Sequence, residues 1–230
     1  MRTPTHEPTI VPGSSSTTTT TTTMAPTTTT IPLICLNPLL QMIHRFVCNP
    51  PPSPSNVDHA YTISQQSIYT TSPFNCMEED LCGGTPPGYP DCTNPAIRAG
   101  YLIQPGQQAI CPDLIQVVSF KDTSFPANSD VLLAFGQAEI NFYRANPATY
   151  VELENMGYCS TTFCYCGANV PLYVLIGNLA SGKKDHFYTT SLDEAIAGIP
   201  TSVYGGTFMG IKCYIWNFNA VSFCGLSCVG

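Results

Sequence analysis

The hydrophobic pattern of this chain is clearest near its C-terminal end. There an apolar, β-prone run (Leu172, Tyr173, Val174, Leu175, Ile176) meets a turn-forming stretch through Gly177, Asn178, Ser181 and Gly182, and an aromatic, Thr-rich run follows from Phe187 to Thr190. Strand, turn residues and strand in that order predict a β-hairpin. Ser191 and Glu194 then hold the first and fourth places of a capping box, which predicts a short helix.

Two fainter copies of this unit lie upstream. Phe46 precedes Asp58 by the same interval that separates Tyr173 from Asp185, and His59, Ala60, Tyr61, Thr62 and Ser64 follow as His186, Phe187, Tyr188, Thr189 and Ser191 do later. In the middle copy Val131–Phe135 supplies the apolar run, and Ile140, Asn141, Phe142 and Tyr143 align with the Asp-His-Phe-Tyr run, with its Asp and His lost. Asn94-Pro95 through Gly100 and Asn146-Pro147 through Gly157 each offer an Asn cap, a Pro at the first helical position and a Gly stop, predicting one short helix per copy. Gln107–Cys111, Thr162–Cys166 and Gly210–Trp216 are read as closing strands. Ile31–Ile43 is read as the first strand region; Pro32 and Pro38 break it, and it falls short of the roughly 20 apolar residues that a bilayer span needs. The residues between Ser72 and Cys92 form a Gly-, Pro- and Cys-rich inserted loop.

The expected architecture is therefore mainly β with short helices. Three pseudo-symmetric repeats, over about 40–115, 116–168 and 169–218, would take a trefoil-like or compact three-bladed arrangement, stabilised by disulfides. Residues 31–230 would form this single domain, with a Cys-rich tail at 219–230. Residues 1–30, with seven consecutive threonines at Thr17–Thr23 and four more at Thr27–Thr30, cannot bury a core and read as a disordered, mucin-like, O-glycosylated stalk.

Composition narrows the class. Twelve cysteines (Cys35, Cys48, Cys76, Cys82, Cys92, Cys111, Cys159, Cys164, Cys166, Cys213, Cys224 and Cys228) form an even set suited to an oxidising compartment, so the chain is expected to be extracellular. The lack of an apolar h-region after Met1 conflicts with that expectation, and a fragment or incomplete gene product would reconcile the two. Their spacing, CxxxxCxC and CxxxC with no CxxC, argues against zinc, and no cofactor is expected. A net charge of −7, with only 10% charged residues, argues against nucleic acid and anionic membrane as partners. Carbohydrate or an extracellular protein fits better.

At PLYVLIGNLASGKKDHFYTTSLDEA and GTFMGIKCYIW the chain resembles a secreted tandem-repeat domain family of unknown function, whose hallmark is LY…DHFYTTSxxE with a closing GIxxYV. That family occurs in secreted proteins of bacteria, fungi and invertebrates, usually as about three repeats and sometimes beside hydrolases. The resemblance is clearest over 170–216. It implies a triplicated architecture and carries no activity, and Met209 stands where the family has an acidic residue.

Candidate chemistry must come from the residues. Adjacent strand residues point to opposite faces, so Asp185 and His186 are poorly placed to pair with each other; a turn-capping Asp and a His satisfied beside the next repeat is the expected arrangement. Glu152, Glu154, Asp193 and Glu194 read as first-turn or surface charges on short helices, and no nucleophile motif is present. Candidate ligand contacts are Asp58, His59, Tyr61, Asn141, Tyr143, Asp185, His186 and Tyr188, in which a Tyr beside a His or Asn would stack on and hydrogen-bond a sugar. The competing reading makes the three tyrosines a core layer. The expected function is a non-catalytic extracellular binding or adhesion module. The alternatives are a structural protein of a matrix or secretion, and a secreted hydrolase or its appendage.

Overall fold

Three hairpins organise the chain: β2 (His44–Cys48) with β3 (Asp58–Thr62), β6 (Ile115–Asp122) with β7 (Val131–Phe135), and β9 (Val170–Asn178) with β10 (Lys184–Thr189). The computed structural model describes residues 39–48, 58–64, 76–79, 81, 100–124, 130–178, 184–198 and 206–217. All of them belong to one compact unit, Leu33–Gly230.

In every sheet a later strand adds to the free side of the hairpin's first strand. These are β4 (Met77–Glu79) on β2, β8 (Tyr150–Cys159) on β6, and β11 (Thr207–Ile215) on β9, all antiparallel. The resulting orders are β3-β2-β4, β7-β6-β8 and β10-β9-β11. The second sheet continues through β5 (Tyr101–Ile103) to β1 (Leu40–Met42), giving five strands. Two α-helices, α1 (Gly136–Arg144) and α2 (Leu192–Ala197), follow β7 and β10 directly. The protein is thus mainly β. None of its described helices is long and apolar enough to cross a membrane.

Burial on both faces explains why β7 is apolar throughout rather than alternating. Leu133 and Phe135 enter a central core with Tyr61, Val117, Val174 and Tyr188, while Leu132 and Ala134 pack with Val118, Phe120 and Ile140 beneath α1. The start of α1 is fixed by Glu139, whose carboxylate accepts the Phe135 N–H at 2.9 Å. At α2 the Ser191 hydroxyl accepts the Glu194 N–H at 3.0 Å, the capping bond expected from the sequence.

Sulfur ties the sheets further. Cys48–Cys76 closes within the first sheet, Cys159–Cys213 joins β8 to β11, and Cys111–Cys166 links two short 3-10 turns. Cys164 is also disulfide-bonded. Cys35, Cys82, Cys92, Cys224 and Cys228 lie outside the described residues, as do residues 1–30, the tail at 219–230 and most of the Ser72–Cys92 loop.

Several expectations are corrected. Asn146–Gly157 is not a helix: apart from a turn after α1 it is β8, whose Tyr150, Val151, Glu152, Glu154, Asn155 and Gly157 pair antiparallel with β6. The helix of this region is α1, one element earlier. Ile140, Asn141, Phe142 and Tyr143 therefore lie on a helix, and Tyr143 shares no strand face with Tyr61 and Tyr188. Asp130–Leu133 take the place assigned to them. Gln107–Cys111 and Thr162–Cys166 contain 3-10 turns rather than strands, Cys164 and Cys166 having the positive φ of a tight turn. Glu152 and Glu154 are on β8, not on a helix. The Asn94–Gly100 helix falls outside the described residues but for Gly100.

Candidate functional site

The second strands of the three hairpins, β3, β7 and β10, pack against one another. Each is led by an aspartate: Asp58 opens β3, Asp130 directly precedes β7, and Asp185 is the second residue of β10. All three are buried, and oxygens from the three carboxylates lie within 4.8 Å of one another.

Imidazoles stitch this layer together. Both the N–H of His59 and its Nδ1–H donate to Asp185, at 3.0 and 2.7 Å. His186 treats Asp130 the same way, at 3.0 and 2.5 Å. No Asp pairs with the His that follows it, as the strand geometry requires. Each His instead reaches the Asp of a neighbouring hairpin, and the turn-capping role expected of Asp185 gives way to a bond across the junction.

Three residues further along each strand lies a second layer. The Tyr61 hydroxyl accepts the Tyr188 N–H at 2.7 Å, and the Tyr188 hydroxyl accepts the Leu133 N–H at 2.9 Å. Burial drives both phenols well above their usual pKa, so they stay neutral. On β7 the corresponding positions are Val131 and Leu133, and there the contact with β3 is apolar, through Ala60, Phe46 and the Cys48–Cys76 bridge.

Beside the junction lies a buried ion cluster. Arg45 on β2 makes two hydrogen bonds to Glu194 of α2, at 2.9 and 3.0 Å, and its Nε lies 2.8 Å from Glu79 as an ion pair. Its guanidinium also covers the Phe187 ring at 4.8 Å. Burial works against its charge, but Glu194 and then Glu79 outweigh that and raise its pKa. The second ring nitrogen of His59 faces Glu79 at 3.6 Å.

Of the candidate ligand residues, Asp58, His59, Tyr61, Asp185, His186 and Tyr188 thus belong to the junction. The three aspartates are also the described grouping whose oxygens come close enough to surround a cation. Both oxygens of Asp130 and of Asp185 also accept from His186 and His59.

Asn141 and Tyr143 lie elsewhere, near the C-terminal end of α1. Phe142 is 59% exposed there, and its ring meets Tyr143 at 5.3 Å and Tyr150 of β8 at 6.5 Å, with Tyr143 and Tyr150 4.8 Å apart. On the same helix the Gln137 side chain donates to Asn141 at 2.7 Å, and Asn146 donates to the Phe142 carbonyl. Arg144 forks onto Glu152 at 2.7 and 2.8 Å and holds that carboxyl below its usual range. Burial pushes the Tyr143 phenol up to about 12.

Sequence reasoning missed Arg45, Asp130, Phe142 and Tyr150. A lone Arg inside the apolar run of β2 was the available signal for the first. The others needed the correct register of the middle hairpin. No family model, curated protein or solved structure matches this chain.

Proposed function

We propose that the chain is an extracellular, non-catalytic binding module that presents the Phe142–Tyr143–Tyr150 face to a saccharide. The observation that carries this reading is the exposed Phe142 ring, stacked into an aromatic group on a helix that also carries the Gln137 and Asn141 amides and the Arg144–Glu152 pair. The core beneath α1 is already filled by Ile140, Phe120 and Leu132, so packing does not require a large ring outside it. Pyranose C–H faces stack on such rings, and sugar hydroxyls exchange hydrogen bonds with neighbouring amides and carboxylates.

A non-catalytic role is supported by the work that the Asp–His pairs already do in joining strands. Secretion is supported by the disulfides. The Thr-rich leader would then hold the module away from a surface or another domain as an O-glycosylated stalk.

The test is a glycan array with the full chain and with Phe142→Ala, alongside a hydrolase substrate panel. Binding that the substitution abolishes while the fold persists is the expected result. Turnover of any substrate that His186→Ala removes, or glycan binding indifferent to Phe142, would overturn the reading.

A further inference from the structure

Two strands hold the same place in their sheets, β8 beside β6 and β11 beside β9, and both bulge at a Met-Gly pair. The register slips at Met156 and at Met209, and the glycine that follows each has a positive φ, +113 at Gly157 and +89 at Gly210. Their surroundings differ. At Gly157 the main chain of β5 closes in, Ile103 pairs with Tyr158, and Met156 is fully buried. At Gly210 an added Cβ would meet nothing within 4 Å, and Phe208, Met209 and Ile211 are 37%, 54% and 45% exposed. We propose that residues 207–211 of β11 are an open strand edge that pairs antiparallel with the same residues of a second copy of this chain, making a two-fold symmetric dimer.

Further along, the same edge is already paired. The Tyr214 main chain exchanges hydrogen bonds with Ser160 at 2.7 and 2.9 Å, and that of Trp216 with Tyr101 at 2.9 and 3.1 Å. No strand among the described residues lies beyond 207–211. An added strand would therefore prolong an existing ladder rather than begin one. Bulges often blunt an edge against pairing, but β5 on β8 shows that a strand of this chain docks beside a Met-Gly bulge.

Charge selects the occupant. Residues 207–211 carry none, so two copies can meet there without setting like charges opposite one another, despite a net charge of −7 on each chain. The first half of β8 is unsuited to self-pairing, because it carries Glu152 and Glu154, which are bonded to Arg144 and to Thr62 and Ile63. A strand that pairs antiparallel with its own copy makes an isologous contact, which closes at two chains. Phe208, Met209 and Ile211 of both copies lose water together, and that supplies the driving force. One short strand and three apolar side chains per chain form a small interface, so the dimer dissociates on dilution.

The full chain is followed by sedimentation equilibrium from about 1 μM to about 1 mM. The expected result is a reversible shift from one chain to two. Met209→Lys with Ile211→Lys, both at exposed positions, should leave a monomer throughout that range, whereas Val151→Lys on β8 should leave the dimer unchanged. Hydrogen exchange should show the amides of 207–211 protected about tenfold or more at the high concentration relative to the low one. A chain that is monomeric throughout, a dimer indifferent to the two lysines, assembly beyond two chains, or a dimer that only reductant separates would each overturn the proposal. If the lysine variant does not fold, exchange in the wild type decides, and equal protection of 207–211 at both concentrations overturns it.

Discussion

The Tyr61 hydroxyl accepts the backbone N–H of Tyr188 at 2.7 Å, and the two rings meet edge to face with centroids 5.0 Å apart. One side chain thereby satisfies the main chain of another hairpin while filling the core between them. Tyr61→Phe keeps the ring and leaves a buried N–H unsatisfied, which should cost about 1–3 kcal/mol in chemical denaturation. Tyr188→Phe should cost a similar amount through the Leu133 N–H. The two bonds share Tyr188, so the double variant should depart from additivity.

A close backbone approach governs the extended second sheet. Gly157 adopts φ +113 where β5 meets β8, and an added Cβ would stand 2.1 Å from the Ile103 carbonyl oxygen. Both the conformation and the space exclude a side chain. Gly157→Ala should therefore cost about 3 kcal/mol or more, through strain and separation of β5 from β8. Hydrogen exchange would show it as lost protection in β5, with β9 and β10 less affected.

The last hairpin and its helix could be read from the sequence because Leu172–Ile176, the turn residues, Phe187–Thr190 and the Ser191 cap all signal locally. The middle hairpin could not. Asp130 leads its second strand, but Val131 and Leu133 stand where the other two hairpins carry His and Tyr, and the fragment Asn141-Phe142-Tyr143 resembles that pattern ten residues later. That shift turned a helix into a strand and placed the next helix on β8. Asn146-Pro147, which looked like a helix start, instead ends α1 through a turn whose Asn146 carbonyl accepts the N–H groups of Thr149 and Tyr150. The Asp–His alternation was legible to the extent that neighbours could not pair. Their actual partners lie 126 and 56 residues away, a distance that no local pattern encodes.

The Cys159–Cys213 bridge closes a separation of 54 residues between β8 and β11. In the chain-entropy account a loop of that length stabilises by about 4 kcal/mol. Replacing both cysteines by Ser should lower stability by about that amount. The bridge borders the central core, so some of the loss should come from packing, and Cys→Ala at both positions should cost less than Ser. Denaturant midpoints of the two double variants would check the order.

Arg45 is completely buried and joins β2 to α2 through Glu194 while its Nε stays beside Glu79. One cation therefore serves two carboxylates, and removing it strands both. Arg45→Met should cost about 3–5 kcal/mol at neutral pH, most of it the penalty of uncompensated buried charge rather than lost contacts. Arg45→Lys should recover only part, because an ammonium cannot present the fork that meets both Glu194 oxygens. If charge is the cause, protonation of the stranded carboxylates should relieve it. The deficit of Arg45→Met relative to wild type should then shrink as pH falls towards about 4, and adding Glu79→Gln with Glu194→Gln should reduce it at pH 7. Urea denaturation of the three variants at both pH values measures this directly. A deficit equal at both would assign the cost to lost packing against Phe187, which the guanidinium covers.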